Sequence, residues 1–326
     1  METALVTGAN GFIGSHLACE LVRRGFTVYG VHRRPKSKNE EYNRYVEEGK
    51  IVTFLGDVTG FDTTRLPAVD YVYHIAGKVS LWGTLEEFRR INTGGTRNFL
   101  QYAKRVGAKC FTYLSSVAVY GFYGYKLLEE DGEKRPFNNP YSLSKLETEK
   151  MVYEYAAENK LPYVIIRPGN VYGEYDYTSS HEVYGRIKEG KMIICGSGQY
   201  ESCWVYVKNL VEAIIFTSLH AHAHNTDYNV ADGNTNLKDY LAKIAQYYGV
   251  RFKYTNFPAP LAKLAACLVE GTYKLFCIKK APLITRFTVS QNCADYSFST
   301  KKLEATGYKK LYSEDEGIRR TVDYFS

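Results

Sequence analysis

Short apolar runs separated by helical patterns fill the first half of the chain. Ala4 to Val6, Phe26 to Val31, Ile51 to Leu55, Tyr71 to Ile75, Cys110 to Leu114 and Tyr163 to Ile166 read as six strands. Between them, Leu17, Ala18, Leu21 and Val22, then Phe88, Ile91, Phe99 and Ala103, then Met151 and Tyr155 fall at helical spacing. Strand and helix alternating in two such halves predict an α/β fold built on a doubly wound parallel sheet. The second helical stretch contains Gly94-Gly95. Each glycine weakens a helix by about 1 kcal/mol relative to alanine, so close packing against the sheet is the expected compensation.

After Gly173 the pattern loses its regularity. A helix with Val183 and Ile187, a stop at Gly190, a strand from Met192 to Cys195 and a turn at Gly196-Ser197-Gly198 predict a smaller lobe. Trp204 to Val207 reads as a strand, with a helix from Leu210 to Leu219 behind it and a further strand, Tyr228 to Ala231, back near the main sheet. The expected division is 1–173 with return segments near 204–232, interleaved with a lobe formed by 174–203 and 233–326.

Composition narrows the function classes. With 326 residues the chain can bury a sizeable core. The net charge of +7 is modest and its basic residues are dispersed, so nucleic acid is not indicated. The seven cysteines are scattered without a C-x-x-C, and no basic-then-apolar leader opens the chain. Both features predict a reducing, cytoplasmic setting. His220, His222 and His224 alternate after a helix with no Cys or carboxylate beside them, so no metal site is expected. Leu261 to Ile278 is apolar-rich but carries Lys263, Glu270 and Lys274. It is too short and too charged to span a membrane and reads as a helix of the lobe, with contact to a membrane surface as the alternative.

The chemistry centres on the first strand and turn. Gly8, Gly11 and Gly14 follow Ala4 to Val6 and precede the first helix. Glycine suits a turn that needs unusual backbone angles, and its missing Cβ allows close approach to a pyrophosphate at a helix N-terminus. The spacing G-x-x-G-x-x-G within Thr7-Gly8-Ala9-Asn10-Gly11-Phe12-Ile13-Gly14 resembles the extended short-chain dehydrogenase/reductase superfamily. A strand-end Ser115-Ser116 before Val117-Ala118-Val119-Tyr120-Gly121, the pair Tyr141 and Lys145, and Arg167-Pro168-Gly169-Asn170-Val171-Tyr172-Gly173 extend the resemblance over nearly the whole chain.

The resemblance implies a nicotinamide dinucleotide bound by Gly8, Asn10, Gly11, Phe12, Ile13 and Gly14, with Asp57 and Val58 against the adenine. Ala76, Gly77, Asn92, Tyr141, Lys145 and Pro168 complete the expected contacts, Asn92 supporting the site rather than reacting. Arg33 and Arg34 stand where an acidic residue would select NAD, so NADP is favoured, with NAD left open. Tyr141 and Lys145 lie one turn apart on a helix, and a nearby ammonium lowers a phenol's pKa. Ser116, with Ser115 as the fallback, hydrogen-bonds the reacting oxygen.

Two branches compete. Asn170 resembles the sugar-nucleotide epimerases and dehydratases, which hold NAD tightly. Ser202 and Asn209 occupy positions where that branch usually has Arg and Asp, and Pro282 to Phe287, with Tyr296-Ser297-Phe298, resembles the 3β-hydroxysteroid dehydrogenase and dihydroflavonol-reductase-like group. The expected activity is interconversion of a secondary alcohol and a ketone on an apolar or other small carbonyl substrate. A sugar-nucleotide epimerase or dehydratase and a non-catalytic NAD(P)-binding regulator are the alternatives. A homodimer is expected by analogy.

Overall fold

The computed structural model describes residues 1–326. Seven parallel strands form the main sheet: β1 Thr3–Thr7, β2 Thr27–His32, β3 Ile51–Leu55, β4 Tyr71–His74, β5 Cys110–Leu114, β6 Tyr163–Pro168 and β7 Thr226–Val230. Their order across the sheet is β3-β2-β1-β4-β5-β6-β7. Strand order reverses at β1, whose Thr7 pairs with Val31 on one side and His74 on the other. Ligands of open parallel sheets bind at the C-terminal edge beside such a reversal.

Successive strand side chains point to opposite faces, and this period divides the core. Ala4 and Val6 of β1, with Tyr71 and Tyr73 of β4, face the helices Phe12–Arg23 and Val207–Leu219. Leu5, Val72, Phe111 and Ile165 face the other way, onto the helices Gly95–Val106 and Pro140–Asn159. Both faces are therefore covered.

The helix expected over Phe88 to Ala103 is present and runs unbroken, but its winding changes along the way. A helical turn at Leu85–Phe88 runs into a π-helical segment, Arg89–Gly94, before the helix Gly95–Val106 starts. Gly95 sits so close to the loop after β3 that a Cβ would stand 2.7 Å from Val58 Cγ2. That approach is what the glycine permits.

Trp204 to Val207 does not return to the main sheet. The strand Glu201–Tyr206 belongs to a second, five-stranded sheet, paired antiparallel with Gly233–Asn236 and parallel with Asn170–Tyr172. The indole of Trp204 stacks on Tyr240 at 3.8 Å and donates to Thr235 O, which holds the strand on the lobe. The return is made by the helix Val207–Leu219 and by β7. The three histidines after that helix each bond a separate backbone carbonyl, of Phe216, Thr306 and Ser218.

Arg167, fully buried at the end of β6, ties sheet to helix. Its guanidinium donates to both carboxylate oxygens of Glu149 at 2.8 Å, to the hydroxyls of Tyr120 and Tyr153, and to Asp227 of β7. Burial opposes its charge, but Glu149 and Asp227 overcome that and raise its pKa. Arg167→Met leaves the buried Glu149 carboxylate without its cation, so urea unfolding should show a loss of roughly 3–5 kcal/mol, most of it restored by adding Glu149→Met.

Candidate active site

At the end of β1 the backbone turns through Gly8 with φ +67°. A Cβ there would stand 3.0 Å from Ala76 Cα, so the turns after β1 and β4 touch. A Cβ on Gly14 would stand 2.1 Å from Gly8 O, which only glycine avoids. Gly11 begins the helix Phe12–Arg23 in extended conformation and brings no capping side chain. The first-turn N–H groups of this helix are left for an anion.

The turn's larger side chains look inward. Phe12 packs edge-on to His16, and Ile13 packs against the core. Asn10 spends its amide donors on the carbonyls of Arg34 (2.6 Å) and Lys36 (3.3 Å), so it fixes the loop after β2. The amide oxygen of Asn10 is left to accept from a ligand. The side chains of Arg33 and Arg34 are exposed, and Arg33 reaches Asp57 at 3.7 Å. Asp57 Oδ1 accepts from Thr59 N and Oγ1, while Val58 is buried against Gly95. His32, at the very end of β2, is buried with neither ring nitrogen bonded.

Ser116 lies two residues beyond β5 and caps the turn Val117–Val119, its Oγ accepting from Ala118 N at 3.1 Å. Its hydroxyl also stands by the phenol of Tyr141. Burial raises the pKa of that phenol and Ser116 pulls it back in part. Ser115 is buried and its Oγ has no partner. Tyr141 opens the helix Pro140–Asn159, which Asn139 caps by accepting from Ser142 N at 2.8 Å. Pro at the first helical position fixes the start of the helix.

Lys145 departs from expectation. Its ammonium donates to Leu114 O at 2.6 Å and lies over the Tyr113 ring, rather than acting on the phenol of Tyr141. Helical spacing places two residues on one face but leaves a four-carbon side chain free to choose its partner. Burial brings its pKa down to about 8, partly opposed by Glu149 one turn on. Nearby, Asn92 accepts from Lys78 N (2.7 Å) and donates to Ser144 Oγ (2.9 Å), locking the loop after Gly77 to the Tyr141 helix. A Cβ on Gly77 would come within 3.3 Å of Asn92 Oδ1. His74, buried beside them, is held neutral by burial and then by Lys145, its pKa lowered to about 3. Pro168 closes β6, paired with Val230.

A cavity of about 720 Å3 adjoins this cluster. Its walls are the loop Lys78–Glu87, the turn Phe137–Pro140 and the segment Glu270–Phe287. Aromatic rings of Trp82, Phe137, Tyr273 and Phe287 line it together with Lys78 and Arg286. Asn139 Nδ2 is buried on this wall and has no partner. The sequence carries one signal for Asn139, an Asn-Pro step at a helix start, and none for His32.

Three residues that separated the two branches are committed within the chain. Asn170 accepts from Gln291 and donates to Tyr296. Asn209 accepts from the N–H groups of Leu311 and Tyr312 and donates to Tyr312 O, a set an aspartate could not complete. Ser202 is buried in the second sheet. An uncapped helix start, unbonded His32 and Ser115 groups at the sheet edge, and the glycine contacts together fit a dinucleotide.

Similar proteins agree with that geometry. An N-acetyl-alpha-D-glucosaminyl-diphospho-ditrans,octacis-undecaprenol 4-epimerase of Escherichia coli O157:H7 is 27% identical, covering 99% of this chain and 95% of its own. A 3-beta-hydroxysteroid dehydrogenase of Mycolicibacterium neoaurum is 25% identical over 99% and 91%. Among solved structures, the UDP-N-acetylglucosamine 4-epimerase of Methanobrevibacter ruminantium M1, in complex with UDP-N-acetylmuramic acid, superposes with a TM-score of 0.80 at 22% identity over 99% and 98%. The UDP-glucuronic acid 4-epimerase of Bacillus cereus, in complex with NAD, gives 0.79 at 20% over the same shares. Residues 4–231 match the NAD dependent epimerase/dehydratase family, and the chain belongs to it as an enzyme of the extended short-chain dehydrogenase/reductase type.

Proposed function

We propose that this enzyme interconverts a secondary alcohol and a ketone on an apolar substrate, with NADP as its cofactor. The observation that carries the reading is Tyr141, with Ser116 beside its phenol, at a helix start whose Asn139 and Pro140 line an aromatic-walled cavity. The turn Gly8–Gly14 and the loops ending at Asp57 and Gly77 would hold the dinucleotide, with Arg33 and Arg34 toward a 2′-phosphate. When bound, the nicotinamide supplies or takes up the hydride and, oxidised, brings a positive charge.

In the reducing direction Tyr141 gives its phenolic proton to the carbonyl oxygen; in the oxidising direction it takes that proton back. Ser116 hydrogen-bonds the same oxygen and steadies the charge gathering there. Lys145, with a pKa near 8, is mostly charged at neutrality, and its bond to Leu114 O keeps that charge at the sheet edge. Asn92 keeps the Gly77 loop and the Tyr141 helix in register.

A second reading, a sugar-nucleotide epimerase with retained NAD, draws on the epimerases among the relatives.

Tyr141→Phe should lower carbonyl reduction by about 100-fold or more while calorimetric cofactor binding stays unchanged; an active variant would remove Tyr141 from the mechanism. Replacing Arg33 and Arg34 by alanine should weaken NADP binding by roughly 10- to 100-fold and leave NAD binding nearly alone. NAD that stays bound through purification would make the epimerase reading the leading one. Lys145 also gives a pH test of the apo-protein. Above pH 8 the folded lysine loses its proton while the unfolded one, with a pKa of about 10.4, keeps it, so stability rises with pH through this window. Relative to Lys145→Met, the wild type should gain on the order of 2 kcal/mol in urea unfolding between about pH 7.5 and 9.5; a constant difference would mean that Lys145 does not titrate there.

A further inference from the structure

The helix Ala259–Leu275 buries Ala262, Ala266 and Glu270 against the helix Arg286–Asn292. On its opposite face stand Leu261, Leu264, Leu268 and Leu275, exposed by 54, 58, 64 and 77%. Their spacing keeps all four on one side of the helix. The apolar surface continues into Phe276, 69% exposed, and ends at Leu283, 96% exposed. Single exposed leucines are ordinary on a protein surface, whereas a continuous apolar stripe marks a place where something docks.

The exposed charges of this segment have one sign. Lys263, Lys274, Lys279 and Lys280 are exposed, while the segment's only acid, Glu270, is buried and bonded to Arg286 Nε (2.9 Å) and backbone N (2.6 Å). A second copy of this face would bring lysines against lysines. An anionic lipid surface instead attracts each of them by about 1 kcal/mol while taking up the leucines. No helix of the protein is long and apolar enough to cross a membrane, so the geometry that remains is a helix lying in the interface.

We propose that Ala259–Leu283 seats the protein on an anionic lipid bilayer, with the leucine stripe at the boundary between headgroups and acyl chains. The inner side of the same segment walls the cavity: Tyr273 meets Trp82 edge-on at 5.9 Å, and Trp82 Nε1 donates to Ile278 O at 2.8 Å. The cavity between this segment and Asn139 therefore opens beside the lipid, and its substrate is a bilayer-resident apolar alcohol or ketone. The substrate part rests on the catalytic reading above; the seating does not.

The test is flotation of the purified full chain with vesicles of phosphatidylcholine containing roughly a third phosphatidylglycerol, against phosphatidylcholine alone. The wild type should float with the anionic vesicles and be released by high salt. Leu264→Glu with Leu268→Glu should lower the bound fraction by at least about tenfold. Leu311→Glu, at a residue as exposed as Leu264, should float like the wild type. Circular dichroism and urea unfolding establish that both variants are folded. A wild type that stays behind, or a double variant that floats equally well, overturns the proposal. So does a concentration-dependent dimer that the double variant abolishes in a protein that does not float, since the stripe then belongs to a second copy. Flotation without any carbonyl reduction upholds the seat and defeats the catalytic reading; reduction without flotation does the reverse.

Discussion

A single buried cation holds the helix that carries Tyr141 and Lys145. Arg167 extends from β6 beneath that helix and meets Glu149, Asp227 and two tyrosine hydroxyls, so every donor of interest has an acceptor in a place water does not reach. A charge placed there without partners would be costly, and the price of burying it is offset only because the geometry is complete. Glu149 stands one turn beyond Lys145 and moderates the burial that pushes the lysine's pKa down. The pair that fixes the helix to the sheet thus also sets the electrostatic surroundings of the site. In this chain the arginine of Arg167-Pro168-Gly169 is an anchor, while the residues after it leave the main sheet for the second one.

The main sheet was legible because its strands are short, apolar and separated by clear helical periods. All seven can be read this way, the last as Tyr228 to Ala231. The second sheet was not, since Gly233–Asn236 is wholly polar and Tyr296–Phe298 has three residues. Each is a strand only because a partner far along the sequence supplies its ladder, and periodicity carries no information about such partners. The site shows the same division. Gly8 and Gly14 read as positions where a Cβ has no room, and in the fold backbone atoms of Ala76 and Gly8 stand there. The direction of the Lys145 ammonium could not be read, because helical spacing fixes a face and leaves the rotamer to the neighbours.

Side chains that look diagnostic in the sequence turn out to serve the architecture. Asn209 pins Leu311 and Tyr312, and Asn170 links Gln291 to Tyr296, so each binds the late part of the chain to the early part. The abundance of tyrosine has a related cause. Tyr172, Tyr184, Tyr206 and Tyr240 fill the core of the lobe, where rings supply packing and hydroxyls such as those of Tyr184 and Tyr240 bond one another.

The path of the chain between the two sheets limits how the enzyme can change. It leaves β6 for Asn170–Tyr172, returns for the helix Val207–Leu219 and β7, and leaves again from Gly233. No single cut separates the part holding the glycine turn from the part walling the cavity. A foreign lobe cannot be grafted on as a cassette without also replacing a helix that covers one face of the main sheet. New specificities in this scaffold therefore arise in place, by exchange of individual side chains around the cavity, while the interwoven backbone stays as it is.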